Sequence, residues 1–210
     1  GVLVMDYSER KLPPTYDVAE NELPYQIKLA LWQTAFGLQK VDGLSPSKYM
    51  VKLAYENIEG KKRYDAIYRE ISDYHREEHV DANTVEADIV SLRIAELLAE
   101  DHFLLSPSTL LGIHRHLFTD VFSEEIPVGK FRKVNITKKA PVLDGDTVQY
   151  SSHFMIQDTL VYDFEREQNF SYAGLTNEQK ALQAMALVAD IWQVHPIRDG
   201  NPRTVAVFRI

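Results

Sequence analysis

One stretch of the chain gathers groups able to do chemistry: His195-Pro196-Ile197-Arg198-Asp199-Gly200-Asn201-Pro202-Arg203. A histidine can take a proton, an aspartate can hold a magnesium ion and an arginine can clamp a phosphate. The residue before a proline is driven out of the helical region, so a helix arriving from upstream should end near His195. Asn201-Pro202 can open the next helix, with asparagine as cap and proline in the first turn. Asp199-Gly200-Asn201 is then a tight loop whose backbone N–H groups and positive helix end converge on one point, a place for an anion. A structural helix–loop–helix corner with surface charges is the plainer reading of the same residues, because short loops with His, Asp and Arg are common.

The elements that must position this loop follow from local signals. Thr176 and Gln179 form a capping box, and the helix after them is expected to bury Leu182, Met185, Ala189 and Trp192. Ser106-Pro107 opens a helix with Leu110, Ile113, Leu117 and Val121 facing inward. Asn83 with Glu86 reads as a second capping box, opening a helix through Leu98. Upstream, Ile27, Ala30, Leu31 and Thr34 space as a helix from Leu23 to Ala35 that Gly37 can close. Ser45-Pro46 opens one that carries Met50, Leu53 and Ala54 and ends at Gly60, and Tyr64, Ile67, Tyr68 and Ile71 mark a third. Residues 1–22, broken by Pro13-Pro14, lack periodicity, and residues 127–139 read as irregular. Val142-Leu143, Asp144-Gly145-Asp146 and Thr147-Val148-Gln149-Tyr150 read as a hairpin, since Asp-Gly favours a tight turn. The fold class is all-α with one small hairpin. It divides into an N-terminal helical region, 1–80, and a core, 81–210. The helical pattern runs into Phe208-Arg209-Ile210, which implies a sequence truncated there.

Composition narrows the classes. Hydrophobic residues at 45% and charged residues at 26% are the balance of a soluble globular protein. A net charge of -8 leaves no basic excess for a nucleic-acid face, whereas a triphosphate needs only a local anion site and a metal. The absence of cysteine excludes disulfides, thiolate catalysis and cysteine-ligated zinc, and fits a cytoplasmic location. No apolar run approaches the roughly 20 residues that span a bilayer.

The loop resembles the signature of the Fic family, His-x-Phe-x-(Asp/Glu)-Gly-Asn-Gly-Arg-x-x-Arg, with His195, Asp199, Gly200, Asn201 and Arg203 in register. The likeness continues upstream. Asn83 to Leu98 is similar to the first helix of the family's core. Ile113-His114-Arg115-His116-Leu117-Phe118 and Gly129-Lys130-Phe131-Arg132-Lys133-Val134-Asn135-Ile136 are similar to its HRxLF and GxxRxVNI segments. The resemblance implies a nucleotidyltransferase that moves AMP from ATP to a Ser, Thr or Tyr hydroxyl of a target protein. It implies His195 as general base, Asp199 as the Mg2+ ligand, and Gly200, Asn201 and Arg203 as phosphate binders. Val142, Leu143, Thr147 and Val148 would be the flap that holds the target. Implied partners are ATP and the target, with a homo-oligomer possible and neither nucleic acid nor membrane expected.

Three positions depart from the signature. Ile197 replaces phenylalanine, Pro202 replaces glycine and removes one N–H, and Ala206 replaces the last arginine, which in the family helps hold the terminal phosphate. The alternative is therefore a catalytically weakened Fic-fold nucleotide-binding or regulatory protein. Gly43-Leu44-Ser45-Pro46-Ser47 and Leu53-Ala54-Tyr55-Glu56-Asn57-Ile58-Glu59-Gly60 resemble the VbhA-like antitoxin module, whose inhibitory motif is (Ser/Thr)-x-x-x-Glu-(Gly/Asn). Tyr55 stands where Ser or Thr is expected. The likeness implies an inhibitory Glu59 that reaches the ATP site; with Ala206 in place of the arginine the usual pairing cannot form, and Arg203 is the candidate substitute partner. The other reading makes Glu59 a solvated helix-end residue. His75 and His79 are four apart, but Arg76 stands where His-Glu-x-x-His needs glutamate, so an exposed charged face is expected there. Of His114 and His116, one should pack and one be solvated, and Tyr64, Tyr68 and Tyr74 should be packing residues.

Overall fold

The computed structural model describes residues 23–100, 106–139 and 147–209, and the chain in them is helical. Among the described residues eight α-helices appear: α1 Tyr25–Val41, α2 Lys48–Ile58, α3 Tyr64–Glu77, α4 Ala82–Ala99, α5 Pro107–Phe118, α6 Ile156–Gln168, α7 Asn177–Val194 and α8 Asn201–Arg209. Two three-residue strands, β1 Thr137–Lys139 and β2 Thr147–Gln149, pair antiparallel with Lys138 opposite Val148. The all-α class is as expected. No described helix is long and apolar enough to cross a membrane.

Side-chain caps open four of the eight described helices. Ser106 caps α5 by accepting from Thr109 N–H, with Pro107 in the first turn, and the Thr176–Gln179 box opens α7 as expected. Three ends differ. α1 continues through Gly37 and stops at a Schellman motif, in which Gly43 (φ 70°) donates to Lys40 O and Leu44 donates to Gln39 O, both at 3.0 Å. Ser47, not Ser45, caps α2. Asp81, not Asn83, caps α4, its carboxylate accepting from Thr84 N–H at 3.0 Å. Glu86 is thus no part of a capping box and turns elsewhere.

The expected inward stripe of α7 is overturned. Leu182, Met185 and Trp192 are 60%, 66% and 40% exposed and Ala189 is exposed too, while Leu187, Ile191 and Val194 are buried. The middle of α7, Ala-Leu-Gln-Ala-Met-Ala-Leu-Val-Ala, is apolar on more than one face, so spacing alone could not choose the face that meets α6 and α8. Helix α6 had no counterpart among the expected elements. Of the expected hairpin, the second arm is found as Thr147–Gln149, and it pairs with Thr137–Lys139, within a stretch expected to be irregular. Val142, Leu143 and the Asp144-Gly145 turn lie outside the described residues, as do residues 1–22.

His75 is not on an exposed face. Its Nε2 lies 2.8 Å from Asp88 Oδ2, and the same buried carboxylate accepts from the backbone N–H of Ser47 at 2.6 Å and from its hydroxyl at 2.7 Å. Asp88 on α4 therefore pins the start of α2 and the end of α3, and burial pushes its carboxyl above the ordinary range. Among the described residues no group of three or more His, Asp or Glu could hold a metal. One hydrophobic cluster runs from Trp32 on α1 to Phe208 on α8, across the expected division at residue 80, with α1 packed against α4 and touching α8.

Candidate functional site

Helix α7 ends at His195, which adopts the left-handed conformation (φ 48°, ψ 63°) and closes the last turn by donating to Ile191 O at 3.0 Å. Its ring is 1% exposed as part of the residue, stacked under Tyr150 with centroids 4.1 Å apart and interplanar angle 18°, and meets the edge of Trp192. Arg132 holds this corner. Its Nε donates to His195 O at 2.7 Å, Nη2 to Val194 O at 3.0 Å and to Ser151 O, Nη1 to Val134 O at 2.7 Å, and its backbone N–H to Pro196 O at 2.9 Å.

The loop beyond is closed by its own side chains. Asn201 does not cap α8: its Oδ1 accepts from Ile197 N–H at 2.9 Å and its Nδ2 donates to Ile197 O, so the amide spans the loop that it ends. Ile197, in the position of the motif phenylalanine, is fully buried. Gly200 has φ 75°, and a Cβ there would sit 2.6 Å from Phe118 Cε2, so both conformation and space demand glycine. Asp199 is exposed; its Oδ1 accepts from Gly200 N–H at 2.7 Å and its carbonyl lies 2.9 Å from His114 Nε2. His114 Nδ1 accepts from Gly129 N–H at 2.8 Å, which leaves the proton on Nε2 to be donated to Asp199 O. Neutral, buried His114 thus carries the loop on α5, and burial holds its pKa below the ordinary value. His116 is exposed, so one histidine packs and one is solvated as expected. The two bracing residues, His114 and Arg132, were visible only as members of the HRxLF and GxxRxVNI segments; nothing local signalled their long-range bonds.

A depressed histidine pKa stabilises the fold above the unfolded value of about 6.5 and loses that contribution as pH falls below it. Thermal stability should therefore drop on acidification from about pH 7 to about pH 5 more in the wild type than in His114→Gln, whose amide can accept from Gly129 and donate to Asp199 without titrating. Equal acid sensitivity of the two would show that the imidazole is not held neutral.

Arg203 is almost wholly buried. Its Nε lies 2.7 Å from Asp42 Oδ2, Nη2 donates to Glu86 Oε1 at 2.8 Å, Nη1 donates to Gln39 Oε1 at 3.1 Å, and the guanidinium lies over the Phe118 ring at 4.8 Å. Asp42 and Gln39 come from the Schellman end of α1, and Glu86 from α4. Glu59 is not among these groups. It is the C-cap of α2, 42% exposed in its side chain, and pairs with Lys61. The expected Glu59–Arg203 contact is thus replaced by Asp42 and Glu86, because Gly60 (φ 73°) ends α2 with its last carboxylate turned to solvent. On the strand side, Gln193 Nε2 donates to Gln149 O at 3.3 Å and Ser151 N–H to Gln193 O at 3.4 Å, which sets the end of β2 beside His195. Thr147 and Val148 occupy β2 itself.

The helical bundle thus holds a braced loop between α7 and α8. Residues 104–209, just over half of the chain, match the Fic/DOC family, and the chain belongs to it. That family is known for AMP transfer and related transfers. No individual curated protein matches the chain.

Proposed function

We propose that the chain is a protein adenylyltransferase, which moves AMP from ATP to a Ser, Thr or Tyr hydroxyl of a target protein. The observation that carries this reading is the juxtaposition, in a Fic/DOC-family chain, of His195 and Asp199 at the two ends of one loop that opens α8. His195 accepts the hydroxyl proton, the oxygen attacks the α-phosphorus, the bond from that phosphorus to the bridging oxygen breaks, and pyrophosphate leaves. The N-terminal end of α8 favours the phosphate charge. Asn201 keeps the loop in shape. An extended target segment can pair along β2 through main-chain bonds, which tolerates varied sequences.

Asp199 suits Mg2+ arriving with ATP: it is an exposed carboxylate on the loop, and Mg2+ commonly takes one or two carboxylates and completes its shell with phosphates and water. Bound there, the ion would neutralise phosphate charge. Incubation with α-labelled ATP, Mg2+ and cell lysate tests the reading. Label should enter protein with the wild type and not with His195→Ala. Nucleotide binding without transfer by the wild type would sink it.

A second reading, a weakened nucleotide-binding or regulatory protein, draws on Pro202, Ala206 and the acidic enclosure of Arg203. It also bears on the brake proposed from the VbhA-like likeness. With Glu59 on Lys61, a brake in this conformation would act through Asp42 and Glu86. Hydrogen bonds to charged groups are worth about 1.5–3 kcal/mol, so Asp42→Asn with Glu86→Gln should free Arg203 and raise ATP affinity about tenfold. Unchanged affinity in a titration of the double variant would make the enclosure purely structural.

A further inference from the structure

Arg132 is buried, and among the described residues its side-chain partners are all carbonyl oxygens: Val134, Ser151, Val194 and His195. These four come from two places. Val194 and His195 are the end of α7, where the last carbonyls lack intrahelical donors. Val134 leads into β1, and Ser151 follows Tyr150 directly after β2. Tyr150 is the residue whose ring covers the imidazole.

We propose that Arg132 is a positioning residue that sets the β1–β2 strand pair and the His195 ring in one fixed register. The inference rests on the reading of His195 as general base and extends it to a residue with no direct role in the chemistry. A left-handed non-glycine residue costs about 1–3 kcal/mol and persists only where its surroundings over-determine it. At His195 that role falls to the Nε bond on its carbonyl and the backbone bond from Arg132 to Pro196. The other nitrogens of the same rigid plane fix Ser151 and Val134, so the strands cannot slide relative to the histidine without breaking bonds at both ends. A target segment added at the strand edge then arrives at a set distance from the imidazole. Lysine cannot reproduce this, because an ammonium is a point charge on a flexible stem and lacks the planar fork.

The test uses Arg132→Lys and Arg132→Ala in the full chain, the alanine variant with and without millimolar guanidinium. The first readout is the NMR shift of the His195 ring protons, which the stacked Tyr150 shields; Tyr150→Leu gives the unshielded reference. The second is kcat and KM for AMP labelling. Both variants should lose the shielding, and kcat should fall about 10²-fold, the effect of a ~1 Å misplacement, with KM for ATP unchanged. Guanidinium should restore both in Arg132→Ala. Retained shielding and kcat in Arg132→Lys would overturn the proposal, as would guanidinium that restores the melting temperature but not the shielding. If Arg132→Ala does not fold, the lysine variant decides alone. The shielding readout needs no transferase activity. Absent labelling in the wild type therefore counts against the adenylyltransferase reading, and the positioning role is still decided by the shift.

Discussion

His195→Ala should lower AMP transfer by about 10²–10⁴-fold, the usual contribution of a positioned general base. The loss should appear in kcat, with ATP binding retained, because Gly200, Asn201 and Arg203, the residues expected to meet the phosphates, lie beyond His195 at the end of the loop and in the first turn of α8. Some stability should go with it: the backbone at His195 has φ 48°, which alanine adopts less readily than asparagine. His195→Asn is therefore the cleaner variant. It tolerates the left-handed corner but has no group that titrates near neutrality, so it should be equally inactive and closer to wild type in melting temperature. A His195→Asn protein that labels targets at the wild-type rate would remove the base assignment.

Gly200→Ala should be the most damaging single methyl in the loop. The new Cβ would approach Phe118 to 2.6 Å at Cε2 and 2.7 Å at Cζ, with φ at 75°. Phe118 cannot swing aside simply, since it is fully buried, stacked on Phe122 at 4.4 Å, and supports the Arg203 guanidinium on its face. Left-handed strain of about 1–2 kcal/mol and overpacking of about 1–3 kcal/mol together predict a loss of about 2–5 kcal/mol. For a chain of this size that is a fall of about 5–15 °C in melting temperature. Gly37→Ala is the control: it lies inside α1, nothing lies within 4 Å of its added Cβ, and the change should be neutral or stabilising. A wild-type melting temperature for Gly200→Ala would mean that the Phe118–Phe122 pair yields easily.

Short-range signals were legible in the sequence. The Thr176–Gln179 box, the Ser106-Pro107 start and the end of a helix before Pro196 depend on residues within four positions of one another, and the chain follows them. Where two local readings competed, long-range partners decided. Glu86 had the spacing of a capping residue, but Asp81 took the cap and Arg203, 117 residues away, took Glu86. His75 had the look of a solvated helix face until Asp88 was placed against it. The α7 stripe failed for another reason: a helix with too many apolar residues carries no unique inward face, and Leu187 and Ile191 were chosen by what α6 and α8 present. The motif gave the positions of the candidate loop, yet the bonds of Asn201 within the loop and of Arg203 outside it could not be read from spacing.

The counter-charges of Arg203 sit at positions 42 and 86, whereas the stretch that matches the family begins at residue 104. The portable unit of this protein is therefore longer than its family boundary. A chimaera that packs foreign helices over this segment in place of its own would bury a cation stripped of both carboxylates, and breaking such a pair commonly costs about 3–5 kcal/mol. Recombination in this lineage should respect that linkage: exchanges upstream of Tyr25 leave the enclosure whole, while exchanges between residues 42 and 86 must bring an acidic pair with them or change Arg203 at the same time.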